Sequence, residues 1–253
     1  MLRVTTLHAS CAAATASYYA QYLTAAPGEV PGVWSGRQAA GLGLSGRVEV
    51  DALEALLSGR DPTTGTRLGR ELLDRYTTDG RVVRAVSGFD ATFSAPKSLS
   101  VWWGLTGDRR LLDAHDVAVT AALTHLERFG STTRIRSNGG RLHPDTNGLT
   151  MATFRQTTSR ADDPQIHTHA VISAKVQTPD GRWLALDARY LKRPAGARRP
   201  VPVGAASRAH PPIRCRLATD RQRSGRDRRH PRRAPRHVLQ AHRRHRRRTR
   251  RQA

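Results

Sequence analysis

Residues 163–172 read Asp163-Pro164-Gln165-Ile166-His167-Thr168-His169-Ala170-Val171-Ile172. Asp-Pro is typical of a turn, and the apolar, β-branched residues that follow predict a β-strand. Because side chains alternate between the two faces of a strand, His167 and His169 point the same way and could bind one divalent metal ion. An isolated His-x-His pair more often lies on the solvated face of an edge strand, so its interpretation depends on the rest of the chain.

Two other stretches predict strands that could join the histidine strand in a sheet. Residues 149–156 end with Phe154 and Gln156 on one face, and the short connector that follows favours antiparallel pairing with the histidine strand. Residues 86–93 also alternate, and Asp90 is the only charge among them. A carboxylate at this position is either a structural hydrogen-bond acceptor or a partner that orients a metal-bound histidine.

An Ala-rich segment near the N-terminus predicts a short helix over residues 12–24. It carries Tyr18, Tyr19 and Tyr22, three of the five tyrosines in the chain. These rings could pack against a sheet as core residues, or one hydroxyl could act as a nucleophile. The local sequence leaves both interpretations open.

Two further side chains are possible site residues. Residues 94–98 are predicted to form a turn at the end of the Asp90 strand, where Lys97 and two hydroxyls suit phosphate contacts. A lysine in a surface turn is equally common without such a role. His115 lies in a predicted helix over residues 108–130 and is expected to be a packed or surface residue rather than a metal ligand.

The formal net charge of +23 is concentrated towards the C-terminus. Residues 1–193 hold 23 Lys and Arg against 18 Asp and Glu, whereas residues 194–253 hold 20 Arg against two Asp and no aromatic residue. The latter stretch is therefore predicted to be a disordered Arg/Pro-rich tail. Cys11 and Cys215 form no disulfide or metal motif, and the chain lacks a signal-peptide pattern and a membrane-spanning run, so we expect a cytoplasmic protein.

Several motifs over residues 1–193 resemble, in order, the N-terminal relaxase domain of the TrwC/TraI (MobF) family of conjugative plasmid proteins. They are Tyr18-Tyr19, the Gly-Leu-Gly-Leu-Ser-Gly of residues 41–46, the Gly-Phe-Asp-Ala-Thr-Phe-Ser-Ala-Pro-Lys-Ser of residues 88–98, Phe154-Arg155, residues 158–160, the histidine strand and residues 180–183. Each motif is weak alone, but the ordered set is specific. The resemblance implies an α+β fold of the relaxase or HUH-endonuclease type, with an antiparallel β-sheet palm flanked by helices.

The resemblance also implies a reaction. Such proteins nick one strand of plasmid DNA at the transfer origin: a tyrosine attacks the scissile phosphate and stays bound to the 5′ phosphate, leaving a free 3′ hydroxyl. The implied partner is single-stranded DNA at a transfer origin, with relaxosome and coupling proteins as further partners. The implied cofactor is a divalent metal ion, Mg, Mn or Zn.

Site roles are carried over by position. Tyr18 would be the nucleophile, with Tyr19 and Tyr22 as accessory or second-strand-transfer candidates. Asp90 would orient a metal ligand or accept the tyrosine proton. Two basic residues are candidates for contacts with DNA phosphates: Lys97 and Arg160.

The metal site departs from the family pattern at one position. His167 and His169 match two ligands, but the family normally has a third histidine in Phe-x-His-x-x-Ser-Arg, where this chain has Gln156. A carboxamide oxygen is a poor substitute for imidazole toward Mn or Zn and suits Mg better. We therefore expect weak, oxygen-tolerant metal binding, and the replacement argues against full relaxase activity.

Family-like features stop after Arg193, so residues 1–193 are expected to be an incomplete relaxase-like domain. The tail over residues 194–253 could be a basic arm that binds nucleic acid. Its Arg, Pro, Ala and Gly content fits out-of-frame translation of a GC-rich gene better, because the codons of these residues are GC-rich. In that case the chain would be a truncated, inactive remnant.

Two other functions are compatible with the sequence. The chain could be a single-stranded DNA-binding module without chemistry, held by the sheet and the basic tail. It could also be a replication-initiator nuclease with the same type of metal site. The tyrosine pair near the N-terminus, rather than downstream of the histidines, argues against the initiator.

Overall fold

The computed structural model describes residues 1–22, 29–137, 140–159, 161 and 163–192. All of them belong to the first of two compact units, Met1–Pro212. The predicted tail over residues 194–253 lies outside the described residues, so its disorder stays a prediction. Within the described residues, no helix has the length and apolar character needed to span a membrane.

The described residues form mostly short strands and helices. The strands are β1 (Leu2–His8), β2 (Val33–Ser35), β3 (Arg75–Tyr76), β4 (Val82–Val83), β5 (Val86–Ser94), β6 (Ile135–Ser137), β7 (Gly140–Leu142), β8 (Met151–Thr158), β9 (Pro164–Ser173), β10 (Lys175–Gln177) and β11 (Trp183–Ala185). The α-helices are α1 (Ala12–Ser17), α2 (Arg37–Gly41), α3 (Val50–Leu57), α4 (Lys97–Thr106), α5 (Arg109–Gly130) and α6 (Arg189–Lys192). A 3₁₀ turn (Ala9–Cys11) precedes α1, and a π-helical turn (Tyr18–Tyr22) follows it.

A five-stranded antiparallel sheet, in the order β1-β5-β9-β8-β2, is the centre of the fold. The histidine strand β9 is its middle strand, between β5 and β8. This placement excludes the interpretation of the histidine pair as solvated side chains on an edge strand. The predicted antiparallel pairing of β8 with β9 is confirmed.

Helices cover both faces of the sheet, which confirms the expected α+β palm. On one face, Leu53 of α3 and residues of α1 pack in an apolar cluster with Phe154 of β8. On the other face, Leu123 of α5 packs in a second cluster with Phe89 and Ile172. Both faces of the sheet therefore contribute to an apolar core.

Two predicted elements differ from the structure. The helix expected over residues 12–24 is α-helical only to Ser17 and then widens into the π-helical turn. The turn expected over residues 94–98 is short, because β5 ends at Ser94 and α4 begins at Lys97 with Pro96 as its N-cap. A proline suits a helix start, since its missing N–H has no intrahelical acceptor there.

Phe154→Ala should destabilise the protein by about 3–5 kcal/mol, because the ring is only 1% exposed and its loss leaves a cavity. The site is tight: a Cβ at Gly32 would lie 2.2 Å from the Phe154 ring. Urea unfolding measures the change. Phe129→Ala, at a ring that is 49% exposed, is the matched control and should cost less than about 1 kcal/mol. Equal costs for the two variants would contradict the assignment of Phe154 to the core.

Candidate active site

The histidine pair lies on the sheet face that α1 and α3 cover. In the strand register, His169 is opposite Thr92 of β5 and Phe154 of β8. His167 is opposite Gln156 of β8. Directly opposed residues share a face, so the two imidazoles and the Gln156 carboxamide project on the same side. The imidazole centroids are 5.1 Å apart.

Each histidine uses Nδ1 for a hydrogen bond within the protein. His167 Nδ1 lies 2.8 Å from the carbonyl oxygen of Gln165, and His169 Nδ1 lies 2.9 Å from Oδ2 of Asp90. Because these oxygens accept, Nδ1 carries the proton in both rings. A neutral imidazole with its proton on Nδ1 keeps a lone pair on Nε2, which is the form that binds a metal ion.

Burial lowers the pKa of the His167 imidazole below its usual range. The hydrogen bond to Gln165 opposes this shift, while the charge of His169 adds to it. His167 is therefore neutral at pH 7. His167 therefore stays neutral, the form that binds a metal ion, down to a lower pH than an exposed histidine. Protonation then competes less with metal binding.

Asp90 connects the histidine pair to the tyrosine segment. Its Oδ2 accepts a hydrogen bond from the Tyr19 hydroxyl at 2.8 Å, and both of its oxygens lie within 3.1 Å of His169 Nδ1. The Thr92 hydroxyl donates to the same Oδ2 at 3.3 Å. The structure therefore brings Asp90 together with one predicted metal ligand and one predicted tyrosine.

The two adjacent tyrosines occupy different environments. Tyr19 is buried, and its ring centroid lies 5.5 Å from the ring centroids of both Phe154 and His169. Tyr18 is half-buried, and its ring meets that of Tyr19 edge-on at 5.2 Å. Both lie in the π-helical turn, a feature often found at functional sites. Tyr22 ends this turn, but its side chain lies outside the described part of the chain.

The polar groups on this face fit a divalent cation only in part. Two imidazoles present Nε2, and Gln156 can offer a carboxamide oxygen beside them. Among the described residues, no group of three or more His, Cys, Asp or Glu side chains could hold a metal ion. The donor set that the strand register brings together is therefore two imidazoles and the carboxamide oxygen of Gln156, which supports a weak site with one oxygen donor.

The two predicted phosphate contacts have different outcomes. Lys97 is exposed at the start of α4, and its Nζ donates to the carbonyl oxygen of Pro164 at 2.9 Å. This bond places the ammonium group at the beginning of β9, the strand that carries His167. Arg160 lies outside the described residues, so its role stays a prediction.

Sequence reasoning missed Glu29. Its Oε1 accepts hydrogen bonds from the backbone N–H and the hydroxyl of Thr157 at 2.8 and 2.7 Å. Its Oε2 is buried and has no hydrogen-bond partner among the described residues. Glu29 thus places a carboxylate next to Gln156 along β8. No local pattern signals this, because the two residues are more than a hundred positions apart in the chain.

A basic hairpin was also missed. β3 and β4 pair antiparallel, with Tyr76 opposite Val82, and the Tyr76 side chain is 79% exposed. Three exposed arginines lie in or next to this hairpin: Arg75, Arg81 and Arg84. An exposed ring among cationic side chains suits base stacking combined with phosphate contacts. The Asp79-Gly80 turn between two alternating stretches was the available signal.

Below the sheet, His115 makes folding stability pH-dependent. Burial, with the nearby charges of Arg155 and His167, lowers its pKa from 6.5 to about 4, and its Nε2 lies 3.0 Å from the Thr168 hydroxyl. The unfolded chain therefore takes up this proton at higher pH than the folded chain. Stability should fall by about 3 kcal/mol as the pH drops from 6.5 to 4.

Urea unfolding of the wild type and His115→Gln across this pH window measures the contribution of His115. Between pH 6.5 and 4, the free energy of unfolding should fall by about 3 kcal/mol less in the variant than in the wild type, because glutamine does not titrate. An identical pH dependence in both proteins would contradict the assignment of a neutral, buried imidazole at position 115.

Comparison with known proteins identifies relatives of this chain. The family profile described as TrwC relaxase matches residues 4–201. The multifunctional conjugation protein TraI of Escherichia coli (strain K12) is 44% identical over 153 residues, which are 60% of this chain and 8% of TraI. A second Escherichia coli TraI is 42% identical over the same length. The chain therefore spans less than a tenth of these relatives.

Solved structures of a conjugative relaxase have the same fold. The relaxase TrwC in complex with mutant oriT DNA is 35% identical, with a TM-score of 0.60 over 75% of this chain and 61% of that one. A copper-bound complex of TrwC with oriT DNA gives a TM-score of 0.65 at 34% identity, over 83% of this chain and 68% of that one. The resemblance found in the sequence is confirmed by these matches, and the chain belongs to the TrwC relaxase family.

Proposed function

We propose that this chain carries the DNA-cleaving part of a conjugative relaxase, which nicks and transfers one DNA strand at a plasmid transfer origin. The observation that carries this proposal is the arrangement around Asp90, which joins the tyrosine segment to the histidine pair on one sheet face. A nucleophile and a metal site must lie side by side to act on one phosphate. Solved complexes of the relative TrwC with oriT DNA support the choice of substrate.

Tyr18 is the proposed nucleophile. It is half-buried, whereas Tyr19 is buried and its hydroxyl is bonded to Asp90. The Tyr18 oxygen would form a bond to the phosphorus, the bond from phosphorus to the 3′ oxygen would break, and the phenol proton would be lost as the 3′ oxygen gains one. The 5′ phosphate stays on the tyrosine, so attack by a 3′ hydroxyl reverses the reaction and rejoins the strand.

His167 and His169 would hold a divalent cation through Nε2, with the Gln156 oxygen as a third donor. Metal-bound structures of the relative TrwC support a divalent ion in this family. When bound, such an ion polarises the phosphate oxygens and stabilises the charge that develops on them. An oxygen donor in place of an imidazole lowers the preference of the site for Zn over Mg.

Contacts with DNA are proposed at three places on this chain. Lys97 lies near the start of β9, the strand that carries His167 and His169. The exposed β3–β4 hairpin offers Tyr76 and its arginines for single-stranded or hairpin DNA. Arg160 is retained from the sequence as a third candidate. Relaxosome and coupling proteins remain proposed partners.

We also propose that residues 1–193 are an incomplete relaxase-like domain and that residues 194–253 are an Arg-rich tail. The family match ends at residue 201, near the proposed boundary. Reading the gene in all three frames from the codon for Asp187 tests this. A helix-forming, aromatic-containing continuation in another frame supports out-of-frame translation, and its absence supports a genuine basic tail.

Covalent trapping tests the proposed reaction. The purified chain is incubated with a randomised pool of single-stranded oligonucleotides and Mg²⁺, then denatured and separated by electrophoresis. A label at the 3′ end of the DNA should stay with the protein, and a label at the 5′ end should be released, because the tyrosine retains the 5′ phosphate. Retention of the 5′ label instead would contradict the proposed polarity.

A single-stranded DNA-binding module without chemistry is the second candidate. Gln156 in place of a histidine and the exposed basic hairpin favour it. This candidate predicts binding that weakens steeply with salt concentration and no adduct that survives denaturation. The trapping experiment therefore separates the two functions.

A further inference from the structure

We propose that Tyr19 is a positioning residue that holds Asp90 in the place where Asp90 orients His169. Through this contact, the segment that carries Tyr18 is coupled to the metal-binding face. The inference rests on the metal site of the proposed function, and it gives Tyr19 a role different from that of its neighbour.

The first step is the fixed position of Tyr19. Its side chain is 5% exposed, and its ring packs against the rings of Phe154 and His169, with a centroid-to-centroid distance of 5.5 Å in each case. The ring therefore has little freedom to rotate. Its hydroxyl donates to Oδ2 of Asp90 at 2.8 Å in a buried setting, where a hydrogen bond to a carboxylate is stronger than at the surface.

The second step is the sharing of one oxygen. Oδ2 of Asp90 accepts from Tyr19 and also lies 2.9 Å from His169 Nδ1. The direction of the Nδ1–H bond determines where Nε2 points on the opposite side of the ring. Fixing Oδ2 therefore fixes Nε2 of His169, even though Tyr19 is 150 positions away from it in the chain. Thr92 donates to the same oxygen at 3.3 Å, a weaker contact.

The third step is the link to the nucleophile. Tyr18 and Tyr19 are consecutive in the π-helical turn, and their rings meet at 5.2 Å. A displacement of Asp90 or His169 would therefore move Tyr19 and, with it, the adjacent Tyr18. The two adjacent tyrosines thus have different proposed roles: Tyr19 anchors the metal-binding face, and Tyr18 is the nucleophile.

Metal affinity without DNA is the direct test. Mn²⁺ and Mg²⁺ are titrated separately into the full chain by calorimetry. Tyr19→Phe keeps the ring packing and removes only the hydroxyl. We expect this variant to bind each metal ion about tenfold more weakly than the wild type. Removing a group that orients a metal-bound imidazole typically weakens metal affinity ~10–100-fold, and this value is the lower end of that range. Tyr18→Phe is the matched control and should bind within about twofold of the wild type.

A double-mutant cycle separates positioning from a general structural effect. Asp90→Asn should weaken binding about 10–100-fold, because its NH₂ can face Nδ1 and place the proton of His169 on Nε2. In the Asp90→Asn background, Tyr19→Phe should not weaken metal binding further, because the carboxylate oxygen that accepts from the Tyr19 hydroxyl has been replaced. Wild-type affinity in Tyr19→Phe, or a tenfold loss in both backgrounds, would overturn the inference.

Adduct formation as a function of metal concentration distinguishes this inference from the proposed function. Excess Mn²⁺ should restore the adduct in Tyr19→Phe and fail to restore it in Tyr18→Phe. If the wild type forms no adduct but the affinities follow the expected pattern, the proposed reaction is wrong and the role of Tyr19 stands. If the wild type binds neither ion, the inference falls together with the metal site.

Discussion

Tyr18→Phe should abolish the covalent protein–DNA adduct, with a loss of at least about 10³-fold, because the phenyl ring has no oxygen to attack the phosphate. The half-buried position of Tyr18 and the engagement of the Tyr19 hydroxyl with Asp90 are the physical reasons for choosing Tyr18. Denaturing electrophoresis with 3′-labelled DNA measures the adduct, and mass spectrometry of the trapped peptide identifies the modified residue.

Two controls make the Tyr18 result specific. Tyr190→Phe changes an exposed tyrosine to which no role in the reaction or in DNA binding is assigned, and it should leave the adduct yield unchanged. Native gel retardation of Tyr18→Phe should show DNA binding close to that of the wild type, since the variant loses one hydroxyl and keeps its basic side chains. A full adduct yield in Tyr18→Phe, with the phosphate found on Tyr19 or Tyr22, would show that the nucleophile was assigned to the wrong residue.

Gln156→His should raise the affinity for Zn²⁺ and Mn²⁺ by at least about 100-fold. The new imidazole would lie opposite His167, on the face where His167 and His169 already present Nε2. Removing a residue that only hydrogen-bonds to a metal ligand weakens metal affinity ~10–100-fold. The gain of a nitrogen atom that binds the metal ion directly should therefore exceed that range. Calorimetric titration with each metal ion measures the change.

The selectivity between metal ions sharpens the Gln156 prediction. The wild type should bind Mg²⁺ and Zn²⁺ with similar, weak affinity, whereas Gln156→His should favour Zn²⁺ strongly, because imidazole is a better ligand for Zn²⁺ than for Mg²⁺. Gln156→Ala is the matched control and should bind no better than the wild type. Tight Zn²⁺ binding by the wild type would show that Gln156 does not weaken the site.

Local patterns in the sequence were sufficient for the strands and their faces. The alternation of residues 86–93 and 164–173 placed Asp90 with Thr92, and His167 with His169, on the correct faces, because the strand period of two is a property of the backbone alone. The family motifs then indicated the tyrosine segment and the palm. The turn predicted over residues 94–98 was too long, because a proline can either lie within a turn or begin a helix.

Tertiary structure alone decided which of these groups meet. The central place of β9 removes the edge-strand interpretation of the histidines, and it depends on pairing with strands far away in the chain. Asp90 meets Tyr19 across 71 positions and His169 across 79. The change from α-helix to π-helix at Tyr18 was also not predicted from the local sequence. Such contacts depend on how the helices pack on the sheet, which no local period in the sequence encodes.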